Sequence, residues 1–394
     1  MAVYAASISV SFQILLPVVP VMAEHVGPHG IGGAATAALS AGAVAGELVT
    51  PWLMTVTSSK RLLVLGQLVT GIASLVYVVP ALGSNLMIAG ALVRGMGMGV
   101  TIVVAVAVLS DLTADNRRGT AVGQFGLALS LPGIFVPSLG VYLLSLGHVD
   151  VDAAIACVSG VLGSVIAIFV PGRAGRGARA AGGAGGASEG PESGSSAGVL
   201  ASLRQPRLMI VLFGFVLISC SFGGLFTYVP IALPLAGAGS AASFLLVAGV
   251  ARALSRWLAG PLGDRRSVRR IVLIADGMVL CSLALVAVHI AGAPLLGVAF
   301  LYGLGYGAIQ TTAFLALSQS TWMRDAGTVS ALWNTATDLG SAFGGGMLGL
   351  AAAQYGYLNA VWVLPAAVLI SVPLLATALV APKRGVEHPV AVAK

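Results

Sequence analysis

Four ionisable residues inside long apolar stretches are the strongest candidates for chemistry in this chain: Glu47, Arg94, Arg252 and Asp338. A charged side chain at the centre of a lipid bilayer costs roughly 2.5–3.5 kcal/mol on insertion scales, so such residues face a cavity or a partner. By their positions in the apolar stretches, all four are expected near mid-depth. Two acids and two bases at one depth could neutralise one another.

The two acids are candidates for reversible protonation. Burial favours the neutral form of a carboxyl group, whereas a nearby guanidinium favours its charged form. A carboxyl group that gains or loses such a partner during a conformational change would bind and release a proton. We predict that Glu47 or Asp338 is the protonation site, with Arg94 and Arg252 as charge partners. The alternative is a static ion pair that only aids packing.

A second set of polar and aromatic residues could contact a small molecule. An apolar cavity with a few placed polar groups suits amphipathic compounds. The candidates are Gln13, Gln124, Tyr228, Arg256, Gln310, Trp333 and Asn334. Each uncharged member could instead form an interhelical hydrogen bond. Arg256 follows Arg252 by one helical turn, so it could pair with Asp276 or meet an anionic substrate together with Arg252.

The sequence does not indicate a metal centre or an enzymatic site. The three cysteines lie far apart in apolar segments, which favours a role as buried small side chains. Glu24, His25 and His29 resemble a metal cluster only weakly, and we expect them to be solvated. No apolar stretch contains a nucleophile–base pair. We therefore predict no metal, no cofactor and no enzymatic activity.

Membrane-spanning helices are the elements that must position these residues. Of the 394 residues, 58% are hydrophobic and 8% are charged, whereas soluble domains carry about 25% charged residues. A helix of about 20 apolar residues crosses a bilayer and satisfies its own backbone polar groups. The apolar stretches predict twelve spans: 3–23, 32–57, 61–81, 84–110, 119–146, 150–170, 207–236, 240–262, 270–291, 293–318, 327–352 and 357–381.

The basic residues predict the orientation of these spans. All but three of the 20 Lys and Arg residues lie in connections on one side of the predicted spans. Positive connections stay in the cytoplasm, so both termini are expected there. This distribution along alternate connections does not resemble a nucleic-acid-binding surface. The protein is expected in a plasma membrane of the bacterial inner-membrane type.

The chain divides into two halves around a linker rich in Gly, Ala and Ser. We predict an N-terminal six-helix bundle at 1–170, a flexible cytoplasmic linker at 171–206, a C-terminal six-helix bundle at 207–382 and a cytoplasmic tail at 383–394. Three glycines, at positions 95, 97 and 99, recur 208 residues later at 303, 305 and 307. Glycine lets helices approach closely, so this repeat predicts tight packing of helices 4 and 10.

Four sequence features resemble the major facilitator superfamily, and in particular its twelve-span drug:proton antiporters. They are GPLGDRRSVRR at 260–270, RGMGMG at 94–99, the sequence from Asp111 to RRG at 117–119, and PVVP at 17–20. Two other places depart from the antiporter pattern: the connection after helix 2 lacks its Asp, and helix 5 keeps only Pro137 and Gly140 of its motif.

The resemblance implies an all-α membrane protein with twelve transmembrane helices in two pseudo-symmetric six-helix bundles. It also implies gating residues at the cytoplasmic ends of helices, namely Asp111, Arg118, Asp264, Arg265 and Arg269. The expected function is alternating access with proton-coupled efflux of small amphipathic molecules. Proton-linked uptake of a nutrient or anionic metabolite, and a membrane sensor that transports nothing, remain alternatives. The expected partners are a small-molecule substrate, protons and the lipid bilayer, but no nucleic acid; the protein is expected to be a monomer.

Overall fold

A computed structural model describes residues 1–114, 118–171, 205–265, 268–289, 294–318 and 326–379. Within these ranges, the side chains of residues 80, 118–123, 207, 260–265, 289 and 326–328 are not described. Most of the predicted linker and the whole predicted tail lie outside the described residues. The described chain is helical, and no strand occurs in it.

Each predicted span corresponds to a helix or to a pair of helical segments. The first six spans are α1 (Ala2–Gln13 and Val18–Val26), α2 (Ile31–Val56), α3 (Ser59–Ile72, continued by 3-10 turns at Ala73–Val78 and Pro80–Leu82), α4 (Gly83–Leu112), α5 (Arg118–Ser130 and Pro132–Ser145) and α6 (Val149–Ile168). The last six are α7 (Pro206–Leu235), α8 (Ala241–Arg265), α9 (Val268–His289), α10 (Leu295–Ser318), α11 (Ala326–Tyr355) and α12 (Tyr357–Ala360 and Val363–Ala378).

The predicted fold class is confirmed. Among the described residues, eleven spans are long and apolar enough to cross a membrane. α11 is the exception, although its 30 residues exceed the required length. It carries Asn334, Thr335 and Asp338 within two turns, which lowers its hydropathy. α11 therefore belongs to the same twelve-helix architecture, but its polar face must contact protein instead of lipid.

The repeated glycines confirm the prediction that α4 and α10 each pack closely against neighbouring helices. A Cβ atom at Gly95 or Gly99 would collide with backbone carbonyl groups of α2, at Leu39 and Ala43. Their counterparts in the second half make the equivalent contacts: Gly303 lies against Ala248 of α8, and Gly307 against Arg252 of α8. The α2–α4 pair and the α8–α10 pair are thus built in the same way.

The middle glycine of each run faces a different neighbour. Gly97 packs against Gly66 and Thr70 of α3, and Gly305 packs against Ala275 and Val279 of α9. Each run of three glycines therefore lets one helix approach two others at once. The same arrangement on both sides of the chain supports the pseudo-symmetry inferred from the 208-residue repeat.

The two halves meet through small residues on α2 and α11. Gly30 and Gly33 of α2 pack against Gly345 and Gly349 of α11 so closely that a Cβ atom at any of the four would meet the opposite helix. Gly30 and Gly33 lie where α1 ends and α2 begins. We call this end of the bundle, with the α11 glycines that pack against it, the Glu24 end. Close backbone approach of this kind maximises dispersion contacts where lipid supplies no hydrophobic drive for association.

Glu24 links the halves at this end, and the expectation that it is solvated is wrong, because its side chain is 11% exposed. Its carboxylate accepts hydrogen bonds from Gly30 N (2.9 Å) and Gly32 N (3.0 Å) at the start of α2, and from Tyr357 Oη of α12 (2.8 Å). His29 Nδ1 lies 3.4 Å from Glu24 Oε1. A carboxylate at a helix N-terminus is favourable, because free N–H groups and the helix dipole meet it there.

The glycine contacts give the first testable prediction. Gly95→Ala and Gly303→Ala are each expected to lower the thermal midpoint of the purified protein, because overpacking typically costs about 1–3 kcal/mol. Gly277→Ala is the matched control, since a Cβ atom there meets nothing within 4 Å. Differential scanning fluorimetry in detergent measures all three. Equal midpoints for the three variants would show that α2–α4 and α8–α10 are not in close contact.

Candidate functional site

The two candidate acids come together across the seam between the halves. Glu47 of α2 is 7% exposed, and its Oε2 accepts a hydrogen bond of 2.5 Å from Thr335 Oγ1 of α11. Asp338 follows Thr335 by three residues, so both lie on one face of α11. The carboxyl groups of Glu47 and Asp338 interact electrostatically. A carboxyl group from each half therefore contributes to one cluster, in which Glu47 is buried and Asp338 is partly buried.

Arg94 lies elsewhere, in the core of the N-terminal half. Its side chain is fully buried, and its Nη2 donates to Ser11 O (2.9 Å) and Phe12 O (3.2 Å) of α1. These carbonyl groups precede the break in α1, where Leu16 N donates to Gln13 O at 3.3 Å instead of to Phe12 O. The Arg94 guanidinium thus donates to a carbonyl group that receives no helical N–H donor because of the break in α1.

Arg252 makes a similar contact with α5 across the seam. Its Nη2 donates to Gly133 O at 3.2 Å. In an unbroken α-helix this carbonyl would accept from the N–H of residue 137, but that residue is Pro137, which has no N–H group. Arg252 therefore supplies the missing donor. One turn further along α8, Arg256 Nη1 donates to Ser130 Oγ of α5 at 3.2 Å.

These contacts change the role expected for the two arginines. We predicted them as charge partners of Glu47 or Asp338, but among the described residues no salt bridge joins any of these groups; the one ion pair there is His29–Glu24. The guanidinium groups contact helix carbonyls instead, because broken helices in a low-dielectric interior leave acceptors that need a donor. Asp276 accepts from Ser371 Oγ at 3.2 Å and does not pair with Arg256 in this structure.

Aromatic rings surround the arginines of α8. The Arg252 guanidinium lies 5.3 Å from the centroid of the Phe222 ring, and the Arg256 guanidinium lies 6.0 Å from that of Trp333. Phe222 stacks on Tyr306 at 5.2 Å, and Tyr306 stacks on Tyr302 at 5.7 Å. Rings of this kind stabilise a nearby cation through their quadrupoles. The arginines and rings form what we call the α8 arginine site.

Three of the predicted substrate contacts belong to this site. Trp333 lies below Arg256, and its Nε1 donates to the backbone carbonyl of Gln310 at 3.1 Å. Gln310 is 5% exposed, and its side-chain oxygen has no hydrogen-bond partner among the described residues. The structure thus brings Arg256, Gln310 and Trp333 together.

The other predicted substrate contacts are more scattered. Gln13 lies beside Gly133, where a Cβ atom would be 2.7 Å from its Oε1. Tyr228 is fully buried, and its hydroxyl group has no partner in the described part of the chain. Asn334 is partly buried on α11. Gln124 is exposed on α5. Within the described ranges it makes no hydrogen bond with the other predicted substrate contacts, so no hydrogen bond connects it to the site.

For three of the five predicted gating residues, the structure does not describe the side chain. These residues are Arg118, Asp264 and Arg265. Asp111 is exposed near the end of α4, and Arg269 is exposed at the start of α9. Their role therefore stays a prediction.

Sequence reasoning missed several residues of the site. Thr335 donates to Glu47, while Phe222, Tyr302 and Tyr306 line the α8 arginine site. A signal for Thr335 was available, because it shares a helix face with Asp338 in an otherwise apolar region. The aromatic residues gave no such signal, since rings are common in apolar helices.

The Arg252–Gly133 contact gives the second prediction. Arg252→Gln is expected to lower the thermal midpoint, because a hydrogen bond to a charged group contributes about 1.5–3 kcal/mol. In a Pro137→Ala background, the new N–H can bond to Gly133 O, so the same substitution should cost less. A double-mutant cycle measures this coupling. The Pro373→Ala background in α12 is the control, where the cost of Arg252→Gln should be unchanged; equal costs in all backgrounds would contradict the assignment.

Solved structures with the same architecture include three transporters. The nucleoside transporter NupG gives a TM-score of 0.74 at 11% identity, covering 96% of this chain and 98% of that one. The human organic anion transporter MFSD10 (TETRAN) gives 0.60 at 16%, covering 95% and 98%. A bacterial homologue of the human lysosomal transporter Spinster, in an inward-facing and unoccupied conformation, gives 0.69 at 14%, covering 96% and 95%. At these identities the likeness establishes the fold.

The sequence comparisons are consistent with this fold. A search of curated proteins finds no match. The family profile of the Major Facilitator Superfamily matches residues 1–345. This match covers most of the chain and agrees with the twelve-helix structure, its internal repeat and the three transporter folds. The chain therefore belongs to the major facilitator superfamily and is a multi-pass membrane transporter.

Proposed function

We propose that this transporter couples the movement of protons to the export of small amphipathic molecules by alternating access. The carboxyl pair Glu47–Asp338, of which Glu47 is buried and Asp338 partly buried, is the observation that carries the proposal, because its two members belong to different halves of the protein. A proton bound there would depend on how the halves are arranged. The resemblance of the 260–270 and 94–99 segments to drug:proton antiporters supports export as the direction.

The location of the pair explains how a proton could alter the conformation. Two buried carboxylates repel each other, and this repulsion is strong where the dielectric constant is low. A proton on either group removes the repulsion and permits α2 and α11 to stay in contact. Separation of the two helices would admit water to both carboxyl groups and allow the proton to leave. The cycle thus links proton binding to the closing of the seam.

Contacts nearer the Glu24 end support a seam that is closed on that side. Thr36 of α2 and Thr227 of α7 share a hydrogen bond of 2.6 Å, and Ser138 Oγ of α5 donates to Ala242 O of α8 at 2.7 Å. Together with the α2–α11 glycines, these bonds join the halves between the Glu24 end and the carboxyl pair. A substrate in this conformation would enter from the opposite side.

Replacement of either carboxyl group gives the third prediction. In proteoliposomes containing the pH dye pyranine, Glu47→Gln and Asp338→Asn should abolish proton movement driven by a substrate gradient. Substrate–substrate exchange should persist, because exchange requires no net proton transfer. Ethidium and 2-naphthoate serve as initial probes of the two charge types. Asp150→Asn, at an exposed position at the start of α6, should behave like the wild type.

Retention of exchange matters, because it separates loss of coupling from loss of folding. Thr335→Val adds a milder test: it removes the donor to Glu47 and should shift the pH dependence of transport without abolishing it. Unaltered proton movement in both carboxyl variants would refute the proposed coupling site.

Uptake of an anionic metabolite together with protons is the second candidate function. The observation that favours it is the pair Arg252–Arg256, which places two positive charges near the seam. The sign of the pH change separates the candidates. When substrate is added outside pyranine-loaded vesicles, antiport makes the lumen more alkaline and symport makes it more acidic. Binding without any proton movement would instead indicate a sensor.

We further propose that the protein lies in a bacterial plasma membrane as a monomer, with both termini in the cytoplasm. The positions of Lys and Arg in the connections support this orientation. The Glu24 end would then face outward, and the carboxyl pair would be reached from the cytoplasm. The gating role of Asp111, Arg118, Asp264, Arg265 and Arg269 is part of the same proposal, since these residues lie at the cytoplasmic ends of their helices in this orientation.

A further inference from the structure

The two arginines of α8 form a concentration of partly buried positive charge that makes no salt bridge with any described residue. They are one helical turn apart, and Arg252 acts electrostatically on Arg256 as a like charge. Within the described residues no carboxylate lies within salt-bridge distance of either. Lipid-facing residues of the same helix, such as Trp257 and Leu258, are exposed at 76% and 48%. The charges are thus turned toward protein, where like charges are costly.

Most of the hydrogen-bonding capacity of these two side chains is unused. A guanidinium group has five N–H donors, yet Arg252 and Arg256 each donate one hydrogen bond to a described residue. None of their nitrogen atoms belongs to the fully buried atoms without a partner, whereas Nε and Nη1 of Arg94 do. Arg252 and Arg256 are partly buried, whereas Arg94 is fully buried, so the unused donors at α8 are the candidates for contact with a ligand.

Aromatic rings and buried polar atoms lie beside these donors. Phe222 and Tyr306 stack next to Arg252, and Trp333 lies next to Arg256. The hydroxyl group of Tyr306 and the side-chain oxygen of Gln310 are fully buried, and the hydroxyl group lies close to the side chains of Ser219 and Gln310. Buried polar atoms are normally satisfied. Both atoms are as fully buried as the unpaired nitrogens of Arg94, so they lie behind the site and are not themselves contacts for a ligand in this conformation.

We propose that the α8 arginine site binds the anionic group of an aromatic substrate, a carboxylate or a sulfonate, with the ring of the substrate beside Phe222 and Trp333, which are only partly buried. The inference rests on the proposed transport function and specifies its substrate class. Two oxygen atoms of a carboxylate or of a sulfonate can accept two parallel hydrogen bonds from one guanidinium group. The charge of the anion would offset the repulsion between Arg252 and Arg256, which no described residue does.

The competing explanation is that the arginines only hold α5 in place through Gly133 and Ser130. A purely structural role would make no distinction between charged and neutral ligands. The two explanations can therefore be separated by the charge dependence of binding, and not by loss of transport alone.

Binding is measured at constant pH on the full-length protein in detergent, without a proton gradient, by thermal shift and by quenching of tryptophan fluorescence. The probes are benzoate, 2-naphthoate and naphthalene-2-sulfonate, each beside a neutral analogue such as benzyl alcohol or 2-naphthalenemethanol. At least one anion should bind about tenfold or more tightly than its neutral analogue. If no anion in this set binds more tightly than its analogue, the proposal is wrong.

Variants of Arg256 test whether the preference arises at this site. Arg256→Gln should remove the roughly tenfold preference for the anion and leave the affinity for the neutral analogue within about twofold. Arg256→Lys should keep part of the preference, because it retains the charge but loses the planar pair of donors. Arg270→Gln, at an exposed position on α9, should retain the full preference. An equal loss of affinity for both ligand types in Arg256→Gln would assign this arginine a structural role only.

The same measurement separates this inference from the proposed proton coupling. Glu47→Gln and Asp338→Asn should still bind the anion in preference to the neutral analogue, even where they no longer move protons. Anion preference with unaltered proton movement in these variants would refute the coupling site and leave the anion site standing. Proton coupling without any anion preference would refute the anion site and leave the coupling site standing.

Discussion

Two backbone carbonyl groups that lose their helical donors in this protein accept hydrogen bonds from arginines instead: one from Arg94, which is fully buried, and one from Arg252, which is partly buried. The break in α1 removes the N–H donor of Phe12 O, which accepts a hydrogen bond from Arg94 instead. Pro137 has no N–H group to offer Gly133 O, which accepts a hydrogen bond from Arg252. In hydrocarbon no water can take this role, and an unsatisfied polar group costs several kcal/mol. Each arginine therefore fixes where a broken helix lies relative to its neighbour. The Arg252 bond does so across the seam between the halves.

Glycine provides the complementary constraint. Where Gly95 and Gly99 meet α2, and Gly303 and Gly307 meet α8, backbones approach so closely that any side chain would intervene. These contacts make each half internally rigid, since interdigitated helices transmit displacement instead of absorbing it. The halves themselves are joined by the α2–α11 glycine contacts at the Glu24 end and by polar bonds along the seam, an arrangement suited to movement as bodies. The bonds at the seam then decide which arrangement is favoured.

The seam carries two kinds of chemistry at separate places. Glu47, Thr335 and Asp338 form an acidic cluster between α2 and α11, whereas Arg252 and Arg256 form a basic one between α8 and α5. Tyr306 interacts electrostatically with both Asp338 and Arg252. A proton at one cluster and an anion at the other would thus influence each other through the intervening ring and through the arrangement of the halves. In the proposed function, such an arrangement would couple the two ligands without direct contact between them.

The sequence by itself determined the fold class, the helix count and the internal repeat, because apolar length, charge placement and glycine spacing are local properties of a membrane chain. It also identified Glu47, Asp338, Arg252 and Arg256 as unusual, since a charge in an apolar stretch is visible without a structure. Only the tertiary structure decided which of them meet. Glu47 and Thr335 are 288 residues apart, and the partners of Arg94 and Arg252 are backbone carbonyls, which every residue possesses. The rotation of each helix and the position of each break select the atoms that come into contact, and neither is encoded in composition or spacing.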